Sequence, residues 1–207
     1  MEEKLGRLVV FGDSYTYGHG LPDCVEAVIH PGPFPSKMAW PSLVAEKLNV
    51  PCINNSICGL PNKKILLSML NFPFEQNDLV ITLWSFHHRG CILQDNGKYF
   101  PIRVNSEDNI IKSFYNVHSE YDLCVDALLN MHHASYYMKQ QKINYYSFFF
   151  DPKINTYIQS NSKQQISIET HFLNLRKLKV DDAADGRHIG PLSHKIAAEY
   201  IFEKIKE

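Results

Sequence analysis

The sequence predicts an α/β layered protein built on a largely parallel sheet. Strand-like apolar runs alternate with segments of helical periodicity along most of its length. The clearest run, Asp78–Trp84 (DLVITLW), is apolar almost without interruption, as a strand buried on both faces must be. At 207 residues, 44% hydrophobic and 21% charged, the chain suits one compact domain over 1–207.

Residues 7–12 (RLVVFG) form a short β-branched run closed by glycine and read as a buried first strand. A proline-rich connector covers 31–41, and Pro41 suits the first turn of a helix, where the N–H it lacks would have no partner. Leu43, Val44 and Leu48 then share one helical face. Residues 50–54 read as a second strand, and Asn62–Leu70 as a second helix with Ile65, Leu66 and Met69 inward. After the strand at Asp78–Trp84, Asp95-Asn96-Gly97 lies between the apolar flanks of 91–102 and signals a hairpin with a type I′ turn. Tyr121, Cys124, Leu128, His132 and Ser135 recur at helical spacing beside Val125, Met131 and Met138, which puts His132 on the apolar face, partly buried. Residues 142–150 (KINYYSFFF) read as a strand, the polar stretch 155–167 as a surface loop, and 171–175 as a last short strand. Ser193 is expected to cap a terminal helix with a stripe of Ile196, Ala197, Tyr200, Ile201 and Ile205, and with His194 on its surface.

Composition excludes several function classes. Lys+Arg total 21 against Asp+Glu 22, a net charge of −1, so the basic excess of a nucleic-acid surface is missing. Five cysteines, Cys24, Cys52, Cys58, Cys91 and Cys124, include no CxxC pair; reduced thiols fit better than a disulfide framework or a zinc site. The start, MEEKLGRLVV, is acidic where a signal peptide is basic, and no run approaches a membrane span. A cytoplasmic location without membrane insertion is the expectation; oligomeric state is not readable.

In open parallel sheets ligands bind beyond the carboxyl ends of the strands, which puts loops 12–20, 55–62 and 85–89 at the functional edge. The first carries Gly12-Asp13-Ser14, where a serine on a tight strand-to-helix turn would expose its hydroxyl and its own N–H. A serine hydroxyl is a weak nucleophile at neutral pH and needs a base. Asp185-Gly186-Arg187-His188, just before the terminal helix, offers one: a carboxylate can hold one ring nitrogen and leave the other for the serine proton. Asp151, Asp181 and Asp182 are rival partners for His188, and Asp13 is expected to be structural.

Four blocks in order, 9–20 (VVFGDSYTYGHG), 54–65 (NNSICGLPNKKI), 78–89 (DLVITLWSFHHR) and 185–200 (DGRHIGPLSHKIAAEY), cover about a quarter of the chain. With them the sequence resembles the GDSL/SGNH hydrolases. The resemblance implies a flavodoxin-like three-layer α/β/α sandwich, the SGNH hydrolase fold, and serine esterase or acyl-hydrolase chemistry with no cofactor and no metal. It implies Ser14 as nucleophile, His188 as base and Asp185 as the group orienting it. Ser14 and Gly59 would supply backbone N–H groups to an oxyanion hole. Where the family carries an asparagine donor, this sequence has His87 if aligned without gaps from Asp78, or His88 if Arg89 is matched to a following arginine; a neutral histidine can donate one N–H.

The pairs His87-His88 and His132-His133 lack accompanying ligands at metal spacing, so no metal is expected. Tyr15, Tyr17, Trp40, Trp84 and Phe86 flank the proposed loops and could line an acyl or sugar pocket, with Arg89, His19 and Asp23 close by and the hairpin at Asn96-Gly97 as one wall. The expected substrate is a small-molecule or glycan ester, including an O-acetyl group on a carbohydrate. The competing readings are a weak or inactive binding protein on the same fold, and a flavodoxin-like cofactor protein, which leaves DxxH unexplained and lacks a GxGxxG or P-loop signature.

Overall fold

The computed structural model describes residues 5–27, 30–104, 107–160 and 170–207. The first half runs β1 (Arg7–Phe11), α1 (Ser14–Tyr17), β2 (Val25–Ala27), β3 (His30–Pro31), α2 (Trp40–Leu48), β4 (Cys52–Asn54), α3 (Asn62–Leu70) and β5 (Asp78–Trp84). The second runs β6 (Gly90–Leu93), β7 (Tyr99–Ile102), α4 (Asn109–Val117), α5 (Glu120–Gln141), β8 (Asn144–Phe149), α6 (Pro152–Ser160), β9 (His171–Phe172), α7 (Leu175–Leu178) and α8 (Pro191–Lys204). Five strands make one parallel sheet in the order β4-β1-β5-β8-β9, the flavodoxin-like arrangement.

Both faces of this sheet are covered. Val9, Phe11, Val80 and Trp84 pack with Ile65 and Met69 of α3, Met131 of α5 and Ile154 of α6. Their neighbours Leu8, Val10, Ile81 and Leu83 take the opposite face with Trp40 and Val44 of α2 and Ala197 and Ile201 of α8. Full burial of each large apolar side chain contributes roughly 1.5–3 kcal/mol, and a one-residue slip would exchange both faces at once. The β1–β5 register is further pinned where Arg7 faces Asp78: Arg7 Nε donates to a carboxylate that is only 1% exposed.

The limits of α3 and β5 coincide with those expected, and Pro41 lies in the first turn of α2. Other elements differ for local reasons. The β6–β7 hairpin closes with a Gln94 N to Lys98 O bond and only Gly97 has positive φ, so its loop is a three-residue turn instead of type I′. Residues 155–160 are helical in α6, because Asp151 Oδ1 accepts from Lys153 N, Pro152 opens the first turn and Ile154 anchors it in the core; 161–167 lie outside the described residues. Of 171–175 only His171 and Phe172 pair as strand, and Leu175 opens α7 behind the cap of Asn174. His132 is exposed, since the buried stripe of α5 runs through Cys124, Ala127, Leu128, Met131, Ala134 and Met138.

The terminal helix departs most. It starts at Pro191, and Ser193 lies inside it, with its hydroxyl donating to Asp181. Asp181 caps α8 from outside, accepting from Leu192 N at 2.9 Å and Ser193 N at 2.8 Å. His194 is buried at 1% exposure, not on the surface: α2 has no side-chain cap of its own, and His194 Nδ1 accepts from Trp40 N at 3.2 Å.

Burial pushes the His194 imidazole down to about 4 against the pull of Asp181. An unfolded chain protonates it near 6.5, so its contribution to stability is complete above that pH and is lost as pH falls toward 4. About 2 kcal/mol of stability is expected to go between pH 7 and pH 5 from this group. Urea melts across that range test it: His194→Gln should flatten the slope, and an unchanged slope would exclude the assignment.

Candidate active site

Three loops meet beyond the carboxyl ends of β1 and β5, where the strand order reverses. The chain turns out of β1 at Gly12, where a Cβ would collide with the Thr16 side chain and the Leu83 carbonyl. Asp13 then caps the single turn of α1, its Oδ1 accepting from Tyr15 N at 3.0 Å. Asp13 is fully buried, and its other oxygen accepts from Ser85 Oγ at 2.7 Å and Arg89 Nη1 at 2.5 Å. Ser14 is the first residue of α1, so its N–H has no partner within the helix.

The 183–188 loop reaches this turn through glycine. Gly20, with φ of 83°, accepts from Ala184 N, and a side chain there would crowd Ala183 and Asp185. Asp185 Oδ1 accepts from Arg187 N and His188 N, each at 3.0 Å, and Oδ2 lies 2.5 Å from His188 Nδ1. A carboxylate only accepts, so Nδ1 carries the proton and Nε2, 2.9 Å from Ser14 Oγ, is left as acceptor. Burial alone would raise the Asp185 carboxyl; the N–H groups of His188 and Arg187 and the His188 ring outweigh it and hold it at about 2. Asp185 is therefore ionised at any pH near neutrality. The rival carboxylates are engaged elsewhere: Asp151 with His87, Asp181 at α8, and Asp182 with Lys179.

Ser14, His188, Gly59, Tyr15, His19, Cys58, His88, Arg89, Arg103 and Arg187 line one cavity of about 620 Å³. Gly59 has φ of 77°. Of the two histidines, His88 borders this cavity; the His87 ring is turned to the buried Asp151, 2.6 Å away. Burial, then the neighbouring charges of His87 and Arg89, lower the His88 pKa, favouring a neutral ring with one N–H to give. Burial pushes the Cys58 thiol up to about 12, so it presents no thiolate beside Ser14.

Tyr15, His88 and Val104 are shared with an adjoining cavity of about 1020 Å³ walled by Phe86, Phe150 and Phe172. Tyr15 and Phe86 thus sit where a ligand can reach them. Trp40, Trp84 and Tyr17 do not: both indoles are core residues, and the Tyr17 hydroxyl donates to Gly32 O. Asp23 is held by Ser36 and Lys37 N. His19, Asp185 and His188 have ligand atoms within 4.8 Å of one another, so a cation there would compete with the His188–Asp185 contact.

Cys58 lies in the loop 55–62 expected at the functional edge, whereas no motif marks Arg103 or Val104. Arg103 and Val104 directly follow β7, so the expectation of a hairpin wall was the one signal that could have found them. Arg187 lies inside DGRH, where neither residue type nor spacing sets it apart.

Comparison with family models and with curated proteins finds no match. Solved structures do match. A carbohydrate esterase whose active site displays divergent catalytic and non-catalytic binding functions superposes with a TM-score of 0.62 at 11% identity, over 100% of this chain and 70% of its own. The acetyl xylan esterase Est2A from the rumen bacterium Butyrivibrio proteoclasticus gives 0.56 at 13%, over 97% and 63%. A lipolytic protein of the G-D-S-L family from Desulfitobacterium hafniense gives 0.56 at 12%, over 95% and 98%. At such identities the likeness is one of fold: this chain has the SGNH/GDSL hydrolase fold.

Arg89→Met should leave the Asp13 carboxylate buried without its counter-charge, at a cost of about 3–5 kcal/mol. Adding Asp13→Asn should recover part of that loss in urea unfolding; strict additivity of the two changes would exclude the coupling.

Proposed function

We propose that the chain is a serine esterase that cleaves a carboxylic ester through an acyl-enzyme. The reading rests on one observation above all, the unbroken line from Asp185 Oδ2 to His188 to Ser14 Oγ, with contacts of 2.5 and 2.9 Å. Ser14 Oγ attacks the ester carbonyl and its proton passes to His188 Nε2, while ionised Asp185 stabilises the imidazolium and holds its orientation. Negative charge gathering on the carbonyl oxygen is met by the N–H groups of Ser14 and Gly59 and by the N–H of neutral His88, which takes the part of the family asparagine. The alkoxide leaves with the proton from His188. Water, deprotonated by the same nitrogen, then releases the acid and restores Ser14.

An O-acetyl group on a carbohydrate is the substrate this reading favours, supported by the likeness in fold to carbohydrate esterases. Esters from acetyl to octanoyl, run beside acetylated sugars, test this; the acetyl member should be hydrolysed fastest, and a maximum at longer chains would instead indicate a lipid or thioester substrate.

Ser14→Ala should lose both ester turnover and labelling by a fluorophosphonate. Labelling that persists in this variant would exclude Ser14 as nucleophile, and a wild-type chain that neither labels nor turns over esters would be a binding protein. Asp185→Asn is expected to lower kcat by about 10⁴-fold and His88→Ala by about 10²-fold, measured on an acetyl ester. If His87→Ala costs more than His88→Ala, the oxyanion role of His88 is wrong.

A further inference from the structure

The charges in the cavity wall carry the hydrolase reading further, to the kind of ester it takes. The chain as a whole is nearly neutral, with 21 basic and 22 acidic residues. The cavity around Ser14 is not. Arg89, Arg103 and Arg187 line it, and among the described residues no aspartate or glutamate does. Arg89 is already paired with buried Asp13. Arg103 and Arg187 are exposed, and among the described residues neither side chain has a carboxylate partner. The chain has five arginines. Arg7 and Arg89 are paired; the remaining three are Arg103 and Arg187 here and Arg176 in the wall of the adjoining cavity.

Their positions suit recognition beside the reacting atoms. The Arg103 guanidinium lies over Gly59, with Nη2 3.0 Å from the point a Cβ would occupy, and Arg187 is the immediate neighbour of His188. Two cations lining one cavity repel each other unless a counter-charge joins them. A guanidinium matches the planar oxygen pair of a carboxylate or the oxygens of a phosphate through two parallel N–H donors. We propose that the ester cleaved at Ser14 carries a carboxylate or phosphate group that Arg103 and Arg187 bind.

The proposal depends on the esterase reading, and its test separates the two. Three matched pairs of esters are compared: 4-nitrophenyl hydrogen succinate with 4-nitrophenyl butyrate, O-acetylgalacturonate with O-acetylgalactose, and acetylated glycerol 3-phosphate with acetylated glycerol. At least one anionic member should exceed its neutral partner about tenfold in kcat/KM. The pair that does so identifies carboxylate or phosphate. That ratio should shrink with added salt and fall close to one in the Arg103→Gln/Arg187→Gln double variant. Ester hydrolysis without charge preference in any pair, or a preference that the double variant keeps, overturns the proposal and leaves the esterase reading standing. Calorimetric titration of the Ser14→Ala protein with galacturonate, galactose and glycerol 3-phosphate reads the anion site without turnover. Arginine-dependent anion binding there, in a protein whose wild-type form hydrolyses no ester, would uphold the anion site while the esterase reading fell.

Discussion

The Asp13 carboxylate, shut off from water, sets the terms for the rest of the site. A buried carboxylate is tolerated only where donors and a counter-charge surround it. Its donors come from two segments distant in sequence: Tyr15 N two residues on, and Ser85 Oγ and Arg89 Nη1 beyond the end of β5. The ends of β1 and β5 are thereby obliged to meet at the point where strand order reverses. Ser14 stands between Asp13 and Tyr15, so its backbone cannot shift without breaking a bond to that carboxylate. Arg7 and Asp78 repeat the device at the opposite end of the same strand pair.

His188 reaches the site by different means. No buried charge draws the 183–188 loop to Ser14; Gly20 lets it approach, and Asp185 satisfies three donors of its own loop while holding His188. Behind that loop, Asp181 and His194 tie the starts of α8 and α2 together through their unpaired N–H groups. Helix termini thus serve as the fasteners between layers. The arginines divide differently: Arg7 and Arg89 hold the scaffold through buried carboxylates, Arg89 from the cavity wall itself, whereas Arg103 and Arg187 have no carboxylate partner among the described residues.

Legibility tracked the strength of local signals. Asn62–Leu70 and Asp78–Trp84 were readable to the residue because burial on one helix face, or on both strand faces, forces a single pattern of side chains. Ser14, Asp185 and His188 were legible as a group because GDS after the first strand and DxxH before the last helix resemble the GDSL/SGNH blocks, and the structure brings the three side chains into one hydrogen-bonded line. Ser193 and His194 were misread, since a helix start can be capped by a residue from outside, and Asp181 is such a residue. Trp40 and Trp84 looked like pocket walls because they adjoin the loops in sequence; their side chains turn into the core instead.

By itself, the sequence determined the layered α/β class, the loops at the carboxyl edge and the candidates Ser14, Asp185 and His188, because each is carried by short-range pattern and by chemistry intrinsic to a side chain. Tertiary structure alone decided which carboxylate holds His188, which of His87 and His88 borders the Ser14 cavity, and that Arg103 and Arg187 share that cavity without a carboxylate partner among the described residues. These are choices of partner. They depend on which groups burial brings within hydrogen-bonding distance and which it leaves facing water, and no local pattern in the chain encodes that.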